Sequence, residues 1–208
     1  EFEQLRGAVH GHLRVALSSV GHIALLSHAL RHFRQRYPNV KLDIIDAVYP
    51  GIEAGLRDGS IDFYCGPTPA ETPPDLLVEK LFDNTRVIVG RKGHPLAGAT
   101  SLAELADAEW ITSSITHKAE EELGPLFASH GLPPPRLVMQ AHSALTFLIA
   151  ISGSDLLMML PVQWTQWPLL RDAVQRIPVR EELPAPAICI VQRADLMLTP
   201  ADMLRRGI

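Results

Sequence analysis

Apolar and polar positions follow two different periods along this 208-residue chain, and the switches between them mark its elements. Residues 13–17 (LRVAL) are mostly apolar with an alternating start, and Ser18, Ser19, Val20 and Gly21 break the run. That is a strand followed by a loop. Ile23, Leu26, Leu30, Phe33 and Tyr37 follow at spacings of 3, 4, 3 and 4. This is one apolar stripe on a helix, and Pro38 stops it. Residues 40–45 form a second strand, and 51–58 a short helix punctuated by Gly59. Residues 61–65 form a third strand. Strand, helix, strand, helix, strand implies parallel pairing through right-handed crossovers.

Four prolines make 66–74 a loop, and strands follow at 76–82 and 86–90. The rhythm then restarts. Residues 110–112 form a strand, and 117–130 a helix with Ala119, Leu123, Leu126 and Phe127 on one face and Thr116 as its N-cap. Gly131-Leu132 and three prolines end it. Residues 136–141 are a strand, 143–151 a helix, 156–160 a strand and 162–170 a helix. Strands at 174–179 and 187–192 follow, and Thr199-Pro200 opens a final helix. The pattern is two α/β units of about 75–100 residues, a usual domain size, with a boundary near Asp83-Asn84. The strand at 187–192 has no obvious partner of its own. Its return to the first unit would give two crossover segments, and so a hinge.

Composition narrows the class. An apolar share of 47% with 20% charged residues is that of a globular chain rather than a disordered one. No apolar run reaches the ~18 residues of a membrane span. The formal charge of −4 lacks the electrostatic footprint of a DNA-binding domain. Cys65 and Cys189 sit in apolar strand-like runs, which suits buried, reduced thiols, although a single bridge stays open. The chain begins Glu1-Phe2 without a Met or signal peptide and stops at Ile208, early in its last expected helix. It is expected to be a piece of a longer polypeptide, with Glu1-Phe2 a candidate cloning scar.

The candidate chemistry lies where strands give way to helices. The first turn of a helix leaves backbone N–H groups without intrahelical partners, and the macrodipole adds partial positive charge. Ser18 and Ser19 stand at such a junction, which can hold a carboxylate, sulfonate or phosphate without an arginine. The plainer alternative is that one of them only caps the helix. Ser113-Ser114 and His142-Ser143 repeat the arrangement, and ligands of open α/β sheets lie outside the carboxyl ends of the strands. His142 could donate to a ligand or to backbone. His28 and His32 are spaced i, i+4, but Arg31, Gln35 and Arg36 share that side, which argues against a metal. Neither G-x-S-x-G, a P-loop nor G-x-G-x-x-G occurs. Cys65 ends a strand, where a nucleophile can sit, but its alternation with Ile61 and Phe63 assigns it to the core. Trp164 and Trp167 fit packing better than a stacking platform. The acids Glu120 to Glu122 suit a helix N-terminus better than paired-carboxylate catalysis. No catalytic residue, metal or cofactor is therefore expected.

Five segments, in order, resemble those of LysR-type transcriptional regulators. FRQRYPNVKL (33–42) resembles F-x-x-x-Y-P-x-V-x-L, and LRDGSIDF (56–63) resembles L-x-x-G-x-L-D. HPLA (94–97) matches, and the stretch 143–161 resembles S-x-x-x-x-x-V-x-x-G-x-G-I-x-x-L-P with Asp155 in place of the second glycine. Arg6-Gly7 and Leu13-Arg14-Val15 are similar to L-R-G-x-L-R-I-G. The resemblance implies an effector-binding domain of α/β class: two Rossmann-like lobes joined by two crossover segments, periplasmic-binding-protein-like of type II. Lobe I would comprise residues 1–84 and 187–208, and lobe II residues 85–186. The winged helix-turn-helix that binds DNA would be absent from this chain, which accounts for its acidic charge. The implied ligand cleft is lined by Ser18, Ser19, Val20, Gly66, Thr68, Ser113, Ser114, His142, Ser143 and Pro161.

The expectation is thus a cytoplasmic inducer-sensing domain without catalytic turnover. Its ligand is a small organic anion, for which an aromatic carboxylate or sulfonate suits the neutral lining. Its partners would be DNA, through the missing domain, and further copies of itself in a homodimer or homotetramer. The alternative is a solute-binding protein of a transporter, which shares the fold.

Overall fold

A computed structural model describes residues 11–47, 49, 51–68, 71–113, 120–141, 143–183 and 185–195. The chain divides into two compact units: Glu1–Asp83 with Pro186–Ile208, and Asn84–Ala185.

The first unit is built on β1 (Gly11–Leu17), whose three last residues are all buried. It is flanked by β2 (Val40–Asp46) and β3 (Phe63–Pro67), both parallel to it. The chain crosses from β1 to β2 through a helical run made of α1 (Ser19–Gly21), a π-helical segment (His22–Leu26) and α2 (Ser27–Arg36). It crosses from β2 to β3 through α3 (Glu53–Asp58), which ends on Gly59 in the left-handed region at φ 80°. A fourth strand, β4 (Leu76–Phe82), lies at the sheet edge. The last described strand, β10 (Ile188–Arg193), pairs antiparallel with both β3 and β4 and completes the order β2-β1-β3-β10-β4. Strand alternation divides the side chains between two cores. Val15, Leu17, Phe63, Cys65 and Ile190 pack with Phe33 of α2. Ala16, Tyr64 and Val191 pack with Leu56 of α3.

The second unit centres on β5 (Arg86–Arg91), antiparallel to β8 (Met158–Pro161) and β9 (Val174–Ile177). A parallel pair, β6 (Glu109–Ser113) and β7 (Arg136–Ala141), joins β8 through a bridge from Trp110 to Leu157. Helices α4 (Glu120–Ser129) and α5 (Ala144–Gly153) cover these strands. Trp110, fully buried, meets Phe127 of α4 edge-on at 5.7 Å between ring centroids. The HPLA segment has a structural purpose. His94 is buried; its Nε2 donates to the Asp155 carbonyl at 2.9 Å, and its Nδ1 accepts from the Leu96 amide at 3.0 Å. Asp155, standing where the resembled pattern has glycine, pairs with Arg91 at 2.7 Å.

Several expected elements differ in detail. The helix expected at 162–170 is two short ones, α6 (Gln163–Gln166) and α7 (Pro168–Arg171). Pro168 has no amide to donate and drives Trp167 to extended geometry at ψ 125°. The strand expected to reach 179 stops at Ile177, one residue before Pro178. A 3₁₀ turn at Leu102–Leu105, without a period of its own, buries both leucines. The expected cap Thr116, the residues 117–119 and the helix opened by Thr199-Pro200 lie outside the described residues.

Candidate functional site

The carboxyl end of β1 runs into the helical turn that carries Ser18, Ser19 and Val20. The Ser18 amide donates to the Cys65 carbonyl at 2.9 Å, tying this turn to the end of β3. The Ser18 hydroxyl accepts from the Gly21 amide at 3.2 Å, so Ser18 is the N-cap. Ser18 is 2% exposed; its side chain is spent on the helix. Ser19 is half-buried, and Val20 is buried. The close approach explains two glycines. A Cβ on Gly21 would lie 2.9 Å from the Cys65 carbonyl oxygen, and one on Gly66 would strike the Tyr64 hydroxyl and lie 2.7 Å from the Ser18 Cβ.

Ser18, Gly66 and Thr68 therefore gather at the carboxyl ends of β1 and β3. Tyr64 donates its hydroxyl to the Pro67 carbonyl at 3.0 Å, and burial pushes its pKa up. Thr68 donates to Cys189 Sγ at 3.7 Å. Sequence reasoning missed Cys189 here, because only the antiparallel direction of β10 brings the start of that strand beside the end of β3. Cys65 and Cys189 are both buried and free. They occupy successive cross-strand pairs, Cys65 with Ile190 and Cys189 with Gly66, so their side chains project from opposite faces of the sheet. Burial, helped by Cys189, pushes the Cys65 thiol up to about 12, which makes it a poor nucleophile at neutral pH.

In the second unit, Ser113 ends β6 in register with Ala141 at the end of β7. Ser143 follows as the exposed N-cap residue of α5, with no side-chain cap bond, and its carbonyl accepts from the Phe147 amide. Pro161 ends β8 opposite Arg86. Ser114 and His142 lie outside the described residues. A further polar group near these strand ends escaped the sequence reading. The Thr112 hydroxyl is buried without a hydrogen-bond partner among the described residues; the sequence placed Thr112 only in the strand at 110–112. Trp164 stacks edge-on with Phe147 and Trp167, a packing role. Among the described residues, no group of three metal-ligating side chains exists, and no helix is long and apolar enough to cross a membrane.

The family model of the LysR substrate binding domain matches residues 6–202. This chain belongs to the LysR substrate-binding domain family. The HTH-type transcriptional regulator GalR of Pseudomonas putida is 25% identical over 203 residues, covering 97% of this chain and 51% of that protein. The chain thus spans about half the length of this curated relative. The Synechocystis PCC6803 CcmR regulatory domain in complex with 2-PG superposes with a TM-score of 0.78 at 20% identity, covering 95% of this chain and 96% of that one. The BenM effector binding domain with its effector benzoate has a TM-score of 0.75 at 18% identity, covering 96% and 91%. The fold is that of these two-lobed α/β domains.

Proposed function

We propose that this domain senses a small organic anion, bound by its strand-end loops, and passes its occupancy to DNA through a helix-turn-helix outside this chain. The observation that carries the reading is the Ser18–Gly21 turn, capped by Ser18 and docked on the end of β3. A capped turn aims its free N–H groups outward, and these take a negative charge without a side-chain cation. Ser19, Val20, Gly66 and Thr68 are the ligand-binding residues of the first unit. Ser113, Ser114, His142, Ser143 and Pro161 are those of the second. The neutral lining suits a monoanion, and an aromatic carboxylate or sulfonate is the proposed class; the benzoate of the BenM structure is of that kind. The domain turns nothing over. It shifts a conformational equilibrium by its differential affinity for two states, with a coupling of about 1–3 kcal/mol. The full-length protein is cytoplasmic.

Self-association belongs to the same proposal. Leu30 on α2 is exposed, as are Val138 on β7 and Leu145 and Ile149 on α5. β2 and β7 are edge strands. Apolar groups beside open strand edges suit a homodimer in which the α2 face of one copy meets the α5 face of another, and such dimers pair into tetramers.

A thermal-shift titration with benzoate, benzenesulfonate and short aliphatic acids tests the ligand site. At least one aromatic monoanion should raise the midpoint, and Ser19→Trp, which fills the turn but keeps the Ser18 cap, should abolish the shift. An undiminished shift in that variant removes the turn from the site.

A further inference from the structure

The helical run after β1 carries a surplus residue. His22–Leu26 is π-helical, with i→i+5 bonding, between α-helical turns on either side. Such segments are rare and concentrate at functional sites. This one begins immediately after the Ser18–Gly21 turn. None of its five residues is fully buried, whereas Ala29 and Phe33 in the following helix are. An apolar cavity of about 30 Å³ lies against it, lined by Leu25, Leu26 and Ala29 from the helix and Leu17, Cys65 and Ile190 from the sheet. That is room for about one methyl-sized group, and its apolar walls keep it dry.

Converting the π segment to α-helix expels one residue. The surplus cannot leave through α2, which Ala29 and Phe33 anchor in the core. It can leave only toward the Ser18–Gly21 turn. That turn is pinned locally: the His22 amide and the His22 Nδ1 both donate to the Ser18 carbonyl, each at 2.9 Å. The turn and the π segment therefore compete for the same residue.

We propose that His22–Leu26 is a two-register element coupling the Ser18–Gly21 turn to the apolar face of the helix. In the present register the surplus sits in the π segment and the cavity is open. When an anion takes the N–H groups of the turn, the surplus moves into the turn and 22–26 become α-helical. One methyl group of Leu25 or Leu26, both already against the cavity, then fills it as these side chains rotate by roughly 100°, one residue's worth of helix. What throws the switch rests on the strand-end reading above; the existence of two registers does not.

Hydrogen exchange of the full chain without ligand tests the registers. Amides of 22–28 should exchange about 10-fold faster than those of 29–36, through local opening of the register. Deleting Ala24 removes the surplus and should abolish the contrast while the far-ultraviolet circular dichroism is retained. If that variant does not fold, Ala29→Val decides. By filling the cavity it should slow exchange at 22–28 selectively, and a uniform slowing along 19–36, or none, overturns the element. Equal protection of both segments in the parent chain overturns it as well. Benzoate added to saturation should slow exchange at 22–28 in the parent chain but not in Ala29→Val. Benzoate that binds without that change overturns the coupling and spares the site. If no acid binds, the strand-end reading fails, while the ligand-free contrast still decides the two registers.

Discussion

Single residues at the β1–α1 turn show how a polar side chain is divided between structure and recognition. A serine N-cap contributes about 1 kcal/mol, and Ser18 contributes it by bonding the Gly21 amide. Ser19, one position on, takes no part in the cap and is half-buried. Sequence could not divide the pair, since both are serines at the same junction. The two thiols were more legible. Both lie in apolar strand-like runs, and both are buried; the bridge that composition left open is ruled out by their opposite faces. The native chain should therefore react slowly with a thiol reagent, give its two thiols only on unfolding, and form no intrachain disulfide under mild oxidation. A rapid native reaction of one equivalent would contradict this. The folded Cys65 thiol holds its proton to about 12, while a free thiol loses it near ~8.5. The folded state thus binds more protons between these values. Its stability is unaffected below ~8.5 and falls as pH rises above it.

At the scale of elements, prolines and packing outweighed periodicity. The apolar run at 162–170 has helical character, but Pro168 divides it. The π segment hides in an unbroken stripe because Ile23, Leu26 and Leu30 keep helical spacing whether or not a residue is looped out between them. The HPLA turn joins elements distant in sequence: His94 after β5 holds the turn between α5 and β8 through the Asp155 carbonyl. His94→Ala would leave that carbonyl and the Leu96 amide without these partners. It should cost about 1–3 kcal/mol, read as a lower denaturation midpoint. His94→Asn, which can still donate and accept, should recover part of the loss. A neutral His94→Ala variant would show that water replaces the ring.

For the whole molecule, the exposed apolar positions carry the argument. Leu145 and Ile149, spaced i, i+4 on α5, are each about two-thirds exposed (65% and 64%). An apolar pair held in water over one helix face is the surface that the proposed dimer would cover. The double substitution Leu145→Glu/Ile149→Glu should leave the circular dichroism unchanged and shift the sedimentation velocity profile from dimer toward monomer. A parent chain that is monomeric at high micromolar concentration would refute the dimer.

Sequence alone determined the α/β class, the order of nearly all elements and the strand-end junctions, because period, proline and glycine act over a few residues and need no tertiary partner. It also carried the family motifs, whose residues recur at fixed local spacing. Only the tertiary structure decided the position of β10 between β3 and β4, since hydrogen bonding across more than 100 residues leaves no local trace. That placement brought Cys189 to Thr68 and separated the two thiols. Tertiary packing likewise decided which serine caps and which stays available, where the helical run stores its extra residue, and why Gly21 and Gly66 have no side chain. Each of these depends on what approaches from another strand, and a chain cannot announce a distance before it folds.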